Sequence, residues 1–250
     1  MVDLTSLNCL VVGGCGRVGS AICSGLLDCG ARVTAVGRSA FQPGANQKSA
    51  RWTYVQADVT QKESFERALD KTNNLGPITT LVNCASYRPS LINEDCSEVT
   101  NWADSVLNNS LALFIPTSLI TEHFISQSIQ GSVITVSSIY GLVGPNFSIY
   151  GDSGLTTEPD YSYNKAAAIG FNRYMASKYA SKKITFNAIA LGGMLASQPA
   201  EFIKSYENAV PMGRMASASD VSHVACFLAS EHARYITGAV IPVDGGWCST

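Results

Sequence analysis

Residues 160–165 read DYSYNK, and Tyr161 and Lys165 stand four positions apart, so on a helix their side chains share one face. A phenol beside an ammonium is either ordinary solvated surface or part of a site that moves a proton. The spacing alone decides nothing, because Tyr174 with Lys178 and Tyr179 with Lys183 repeat it within RYMASKYASKK, where solvated side chains are the better account. Context separates Tyr161 from these pairs. It follows Thr157, Glu158, Pro159 and Asp160, which read as a helix start, and KAAAIG after it supplies small residues for close packing. Upstream, a β-rich run ends in Ser137 and Ser138, at the edge of a sheet where α/β proteins bind ligands.

A second candidate lies in GGCGRVGSAI, where Gly14, Gly16 and Gly19 satisfy G-x-G-x-x-G. The pattern is weak in isolation, but here it stands between a strand candidate and an amphipathic helix, the context that gives it meaning. Glycines let the backbone approach a pyrophosphate, and free N–H groups at the helix start complement its charge. Dinucleotide binding by the segment Gly13, Gly14, Gly16, Arg17, Val18 and Gly19 is the expectation. The next strand ends in AVGRS, with Gly37 and Arg38 and no carboxylate to bond a ribose 2′-hydroxyl. Arg38 can pair with a 2′-phosphate and Arg17 can clamp it from the other side, so NADP is expected over NAD.

Elements that must position these groups follow from periodicity. Short β-rich runs alternate with longer helical stretches, which predicts βαβ units around a parallel sheet. Strands are expected at Cys9 to Val12, Arg32 to Val36, Thr53 to Gln56, Thr80 to Asn83, Val133 to Ser137, Thr185 to Ile189 and Ala239 to Val243. They lack strict polar alternation, as strands covered on both faces do. Helices are expected at Val18 to Cys29, Lys62 to Leu75, about Thr100 to Ile129, about Tyr161 to Ala180, and Ser219 to Ala229. Gly141 to Pro159 and Leu191 to about Met215 read as irregular. The expectation is one α/β domain over residues 1–250, a Rossmann-type doubly wound parallel sheet of about seven strands with helices on both faces.

Composition narrows the class. Charged residues are 14 % of the chain, hydrophobic residues 46 %, and the net charge is -2, which suits a large core and argues against nucleic acid or an anionic membrane as partner. The eight cysteines form no C-x-x-C pair and read as reduced thiols of a cytoplasmic protein. No apolar run approaches the roughly 18 residues of a membrane span, and the first residues lack a basic leader with a cleavage site. His123, His223 and His232 have no metal-ligand spacing, so no metal site is expected.

Taken together, the motifs resemble the short-chain dehydrogenase/reductase family of the classical type, over essentially the full length. Besides the glycine turn and Tyr161/Lys165, the resemblance rests on ADV with Asp58 and Val59, NCAS with Asn83 and Ala85, NNSLALF with Asn109, SS with Ser138, and PVDGG near the end. It implies that Tyr161 exchanges a proton with a carbonyl or alcohol oxygen, and that Lys165 lowers its pKa from near 10 and holds the nicotinamide ribose. Each unit of lowering represents about 1.4 kcal/mol of preference for the phenolate. It implies further that Ser138 hydrogen-bonds the reacting oxygen and that Asn109 supports a water relay behind Lys165. Asp58, Val59, Asn83, Ala85 and Gly192 would line the cofactor. The helix near Thr100 and the tyrosine helix are similar to those that join subunits in this family, implying a homodimer or homotetramer.

Several residues depart from the family pattern. Val12 replaces a threonine, Arg17 a glycine, and Leu191 the proline of a P-G pair. Tyr161 comes 23 positions after Ser138, where the family usually has about a dozen. Some ten extra residues, within about 144–159, must loop out beside the reaction centre, where substrate contacts are expected. Asn146, Ser148, Tyr150, Asp152, Ser153 and Thr156 make this loop rich in hydroxyl and amide groups, suiting a sugar or polyol. Tyr150, Tyr163 and Met194 are the substrate candidates, although Tyr163 lies about 200° around the helix from Tyr161. SSIYGLVGPNFSIYG and GGMLASQPAEFIKSYENAVPMGRM look most like the dehydrogenases of flagellin-modification and nonulosonate-sugar pathways. The resulting expectation is NADP-dependent hydride transfer on a sugar carbonyl or alcohol. The alternatives are a 3-oxoacyl thioester reductase and a catalytically silent nucleotide-binding regulator.

Overall fold

The computed structural model describes residues 2–40, 49–88 and 98–249. Seven strands form one sheet: β1 (Asn8–Val12), β2 (Arg32–Gly37), β3 (Trp52–Gln56), β4 (Thr80–Asn83), β5 (Ser132–Ser138), β6 (Thr185–Leu191) and β7 (Val240–Val243). Their order is β3-β2-β1-β4-β5-β6-β7, and every pair is parallel. The chain winds outward from β1 in one direction and from β4 in the other, which opens a crevice at their carboxyl ends.

Register aligns those ends. Val12 sits opposite both Val36 and Asn83, so the turns after β1, β2 and β4 meet at one level. Ser138 sits opposite Leu191, and Leu191 opposite Val243, which does the same for β5, β6 and β7. The Ser138 and Gly192 levels coincide for this reason.

The α-helices among the described residues are α1 (Arg17–Asp28), α2 (Lys62–Asn73), α3 (Glu98–Ser126), α4 (Pro159–Tyr179), α5 (Ala200–Ala209) and α6 (Ala218–Ala229), and all but α5 pack against the sheet. Alternate residues of β1 serve opposite faces, as the two-residue period of a strand requires. Cys9 and Val11 pack with Ile22, Leu26, Val221 and Ala225 of α1 and α6, whereas Leu10 and Val12 pack with Phe65, Ile120, Phe124 and Met175 of α2, α3 and α4. A third cluster, Ile139, Ile149, Phe202, Tyr206, Val210, Met215 and Trp247, gathers beyond the carboxyl edge of the sheet. The helix starts use local chemistry. Pro159 opens α4 at a position where its missing N–H is no loss, and Ser217 and Asp220 cap α6 reciprocally.

Two expectations need correction. Within the stretch read as irregular, Ala200–Ala209 is helical, because Phe202 and Tyr206 at i and i+4 bury one face in the third cluster. The helix expected to reach Ile129 stops at Ser126, and Ser128 then turns left-handed at φ 55°. Among the described residues all seven cysteines are free, and no helix is long and apolar enough to cross a membrane.

Candidate active site

The glycine turn follows β1 directly. Gly13 has φ +73°, and a Cβ there would lie 2.9 Å from the Ala85 nitrogen. A Cβ on Gly19 would lie 2.2 Å from the Gly13 oxygen, so α1 can pack onto the turn only through glycine. Gly16 caps α1 without a side chain, and no acidic residue stands in its first turn, which leaves the helix N–H groups and their positive end open to an anion. A cavity of about 340 Å³ extends from here, lined by Gly13, Gly16, Arg17, Val18, Gly19, Arg38, Asp58, Val59, Ala85 and Tyr87, among others. Gly14 has a different task, since its Cβ position is only 2.8 Å from the Ala35 side chain. The Arg38 guanidinium carbon stands 5.4 Å from the centre of the Tyr87 ring, and Asp58 receives the N–H and hydroxyl of Thr60 at 3.0 and 2.7 Å. A glycine cradle closed to any Cβ, an uncapped helix start and two arginines in one cavity fit a dinucleotide.

Asn83, at the end of β4, donates to the Ala112 carbonyl of α3 at 2.9 Å and accepts from the Ala85 N–H at 3.2 Å. It thereby holds the floor of the crevice. Asn109 acts similarly one turn earlier on α3: its amide donates to the carbonyls of Tyr87 and Ser105, both at 2.8 Å, and its oxygen accepts from the Tyr87 N–H at 2.9 Å. Its side chain thus clasps the β4–α3 connection, and with Tyr161 and Lys165 it lines a cavity of about 350 Å³ between α3 and α4.

Ser138 and Tyr161 meet because β5 and α4 are tied together. The Ser137 hydroxyl donates to the Lys165 carbonyl at 2.8 Å, and the Lys165 ammonium donates to the Val136 carbonyl at 3.1 Å. Gly141 allows the turn after β5 to pass this close, since its Cβ would lie 2.8 Å from the Lys165 backbone. The result puts the Lys165 Nζ 5.7 Å from the centre of the Tyr161 ring. Burial pushes the Tyr161 phenol up, but the charges of Lys165 and Arg88 and hydrogen bonds from Ser138 and Arg88 outweigh it, so the phenol is held below its ordinary pKa of 10.0. Tyr140, whose ring meets Tyr161 edge-on at 6.4 Å, is pushed the other way by burial and by its hydrogen bond to Tyr150. Two neighbouring tyrosines are thus driven in opposite directions, Tyr161 down and Tyr140 up.

Ser138, Tyr161 and Lys165 open into a cleft of about 490 Å³ that also takes in Arg17, Arg88, Tyr150, Gly192 and Met194. Gly192 is confined: a Cβ would stand 2.9 Å from the Tyr206 hydroxyl and 3.0 Å from Asp244 Cα. Of the substrate candidates, Tyr150 and Met194 line this cleft, while Tyr163 is exposed with its ring 5.3 Å from that of Trp102. Sequence reading missed Arg88, Tyr140, Phe202 and Tyr206. Phe202 and Tyr206 carried a legible signal in their helical spacing, but Arg88 carried none.

A parallel sheet with a dinucleotide crevice at its switch point and a depressed tyrosine beside a lysine defines a nicotinamide-dependent oxidoreductase. The family model described as "Enoyl-(Acyl carrier protein) reductase" matches residues 17–248, and the chain belongs to the short-chain dehydrogenase/reductase family, whose members act on alcohol and carbonyl groups. It is 26 % identical over 253 residues to the post-translational flagellin modification protein A of Campylobacter coli, covering 95 % of this chain and 96 % of that protein. It is 30 % identical over 250 residues to a 3-oxoacyl-[acyl-carrier-protein] reductase of Thermotoga maritima, covering 95 % of this chain and 96 % of that one. The structure of a short-chain dehydrogenase from Leptospira borgpetersenii with bound NAD⁺ superposes with a TM-score of 0.87 at 28 % identity, covering 98 % of this chain and 94 % of that one.

Proposed function

We propose that this enzyme is an NADP-dependent dehydrogenase/reductase acting on a ketone or secondary alcohol of a sugar or sugar derivative, and that residues 1–250 work as one dinucleotide-binding domain. The observation that carries the chemistry is the ionisable Tyr161 between Lys165 and Ser138 at the mouth of the crevice. Bound nicotinamide supplies or accepts the hydride. Tyr161 gives its proton to the substrate oxygen in reduction and takes it back in oxidation. Ser138 orients that oxygen, and Lys165 stabilises the phenolate through its charge. Asn109 holds the β4–α3 connection and with it the wall behind Lys165, where a water relay would run. Gly13, Gly16, Val18, Gly19, Asp58, Val59, Asn83, Ala85 and Gly192 shape the cofactor crevice, and Gly14 supports it from behind by packing against Ala35.

Arg38 and Arg17 in one cavity, with no carboxylate at the end of β2, support the choice of NADP. The hydroxyl-rich loop 144–159 and the flagellin-modification relative support a sugar-type substrate. A 3-oxoacyl thioester remains the second reading because of the Thermotoga relative. A cytoplasmic homodimer or homotetramer completes the proposal, the α3 and α4 faces being the surfaces that would pair.

Titration of nicotinamide fluorescence with NADPH and NADH, in the wild type and in Arg38→Ala, tests the cofactor assignment. Tighter NADPH binding that collapses in the variant supports it, and equal or tighter NADH binding refutes it. A carbonyl screen containing keto sugars and acetoacetyl thioesters then separates the two substrate readings.

A further inference from the structure

Among the described residues, the cleft in front of Tyr161 is lined by three cations, Arg17, Arg88 and Lys165, and by no carboxylate. Two of them have work elsewhere. Arg17 is shared with the cavity beside the glycine turn, and Lys165 is bonded to the Val136 carbonyl. Arg88 has neither task. Its guanidinium carbon lies 4.1 Å from the centre of the Tyr161 ring, and it does not line the cavity beside the glycine turn. Among the described residues the ion pairs are Lys62 with Glu66, Arg214 with Asp220 and Arg234 with Glu231, so no acid there answers Arg88.

A guanidinium carries five N–H donors in one plane. Stacking on an aromatic face restrains that plane, and one bond to the phenol leaves the other donors for a planar acceptor. A carboxylate matches this fork in two parallel hydrogen bonds, whereas a neutral hydroxyl uses one donor and leaves the charge unanswered. Because Arg88 touches the tyrosine that exchanges the substrate's proton, an anion held there must lie close to the reacting carbon. The remaining wall offers Tyr140, Tyr150, Thr156, Thr157 and Gln198, which suit hydroxyl groups.

We propose that Arg88 binds a carboxylate of the substrate, which makes the substrate a polyhydroxylated acid, oxidised or reduced near its acid group, and not a neutral polyol. This rests on the oxidoreductase reading centred on Tyr161. A phosphate ester, with its larger charge, is the competing anion.

The test uses the full-length protein saturated with NADPH and follows nicotinamide fluorescence on adding D-gluconate, its neutral counterpart D-glucitol, or glucitol 6-phosphate. Gluconate is expected to bind at least tenfold more tightly than glucitol. Arg88→Gln should abolish that preference without changing NADPH affinity, and Arg88→Lys, which keeps the charge but not the fork, should retain part of it. Equal affinities, absent gluconate binding, a preference for the phosphate, or a preference that survives Arg88→Gln would overturn the proposal. Failure of both NADPH and NADH to bind would instead sink the oxidoreductase reading and this inference with it. Binding of NADPH together with Tyr161-dependent turnover of neutral substrates would leave that reading standing and remove only the role of Arg88.

Discussion

Tyr161 lies half-buried between an ammonium and a guanidinium, with a second tyrosine edge-on to it, and in the proposed function its proton is what the reaction exchanges. Removing the hydroxyl in Tyr161→Phe should lower kcat/KM by about 10²–10⁴-fold, the span of one positioned acid–base group, while NADPH affinity is unchanged. Steady-state kinetics beside a fluorescence titration read both. Lys165 tests the electrostatics. Alcohol oxidation needs the phenolate, so the rate falls as pH drops through the depressed Tyr161 pKa; carbonyl reduction needs the phenol, so that rate falls as pH rises through it. In Lys165→Met the lost charge raises the phenol, and the acid limb of the oxidation profile should move up by about one unit or more. A profile that scales in height without moving would show that Lys165 acts by binding alone. At this scale Ser138, Tyr161 and Lys165 were candidates through the helix-start context and the resemblance of their motifs to a family, and the structure brings the three into one cleft. Arg88 was not, since an arginine after NCASY reads as solvated until the fold lays it on Tyr161.

Among the elements, α5 and the segment before α4 depend on each other. Ile149 reaches Phe202 and Tyr206, the Tyr150 ring lies 5.5 Å from that of Phe202, and the Tyr206 hydroxyl accepts the Gly193 N–H at 2.6 Å. This side of the cleft is thus held by a small satellite core, separate from the two that flank the sheet. Phe202→Ala should cost about 3–5 kcal/mol within that cluster. Hydrogen exchange should accelerate in 144–159 and α5, and substrate turnover should fall while NADPH affinity persists. Exchange rising evenly across the chain would contradict a separate cluster. The helix was missed in the sequence because it is only ten residues long between Pro199 and Pro211, with an apolar face two side chains deep. By contrast β4 came out at Thr80–Asn83 as expected, its short run being apolar on both faces and bounded by turns.

For the whole molecule, β5 is the hub: it pairs with β4 and β6, carries Ser138 at its end and buries Ile134 completely. Ile134→Ala removes packing from the face shared with α1 and α6 and should destabilise by about 2–5 kcal/mol. Unlike the Phe202 variant, it should lower the denaturation midpoint equally for every spectroscopic probe, because the sheet and both flanking cores unfold together. A transition that splits between probes would argue against that cooperativity.

Local chemistry in the sequence determined the alternation of strands and helices, the glycine turn and the absence of an acid after β2, since each depends on neighbours a few residues away, and family-like motifs marked Tyr161, Lys165 and Ser138 as candidates. Only the tertiary structure decided which groups face one another. Asn109 clasps Tyr87 across 22 positions, Phe202 meets Ile149, and Arg88 covers Tyr161. Such contacts depend on strand order and register, which bring distant turns to one edge of the sheet, and no local periodicity encodes which distant residues will meet there.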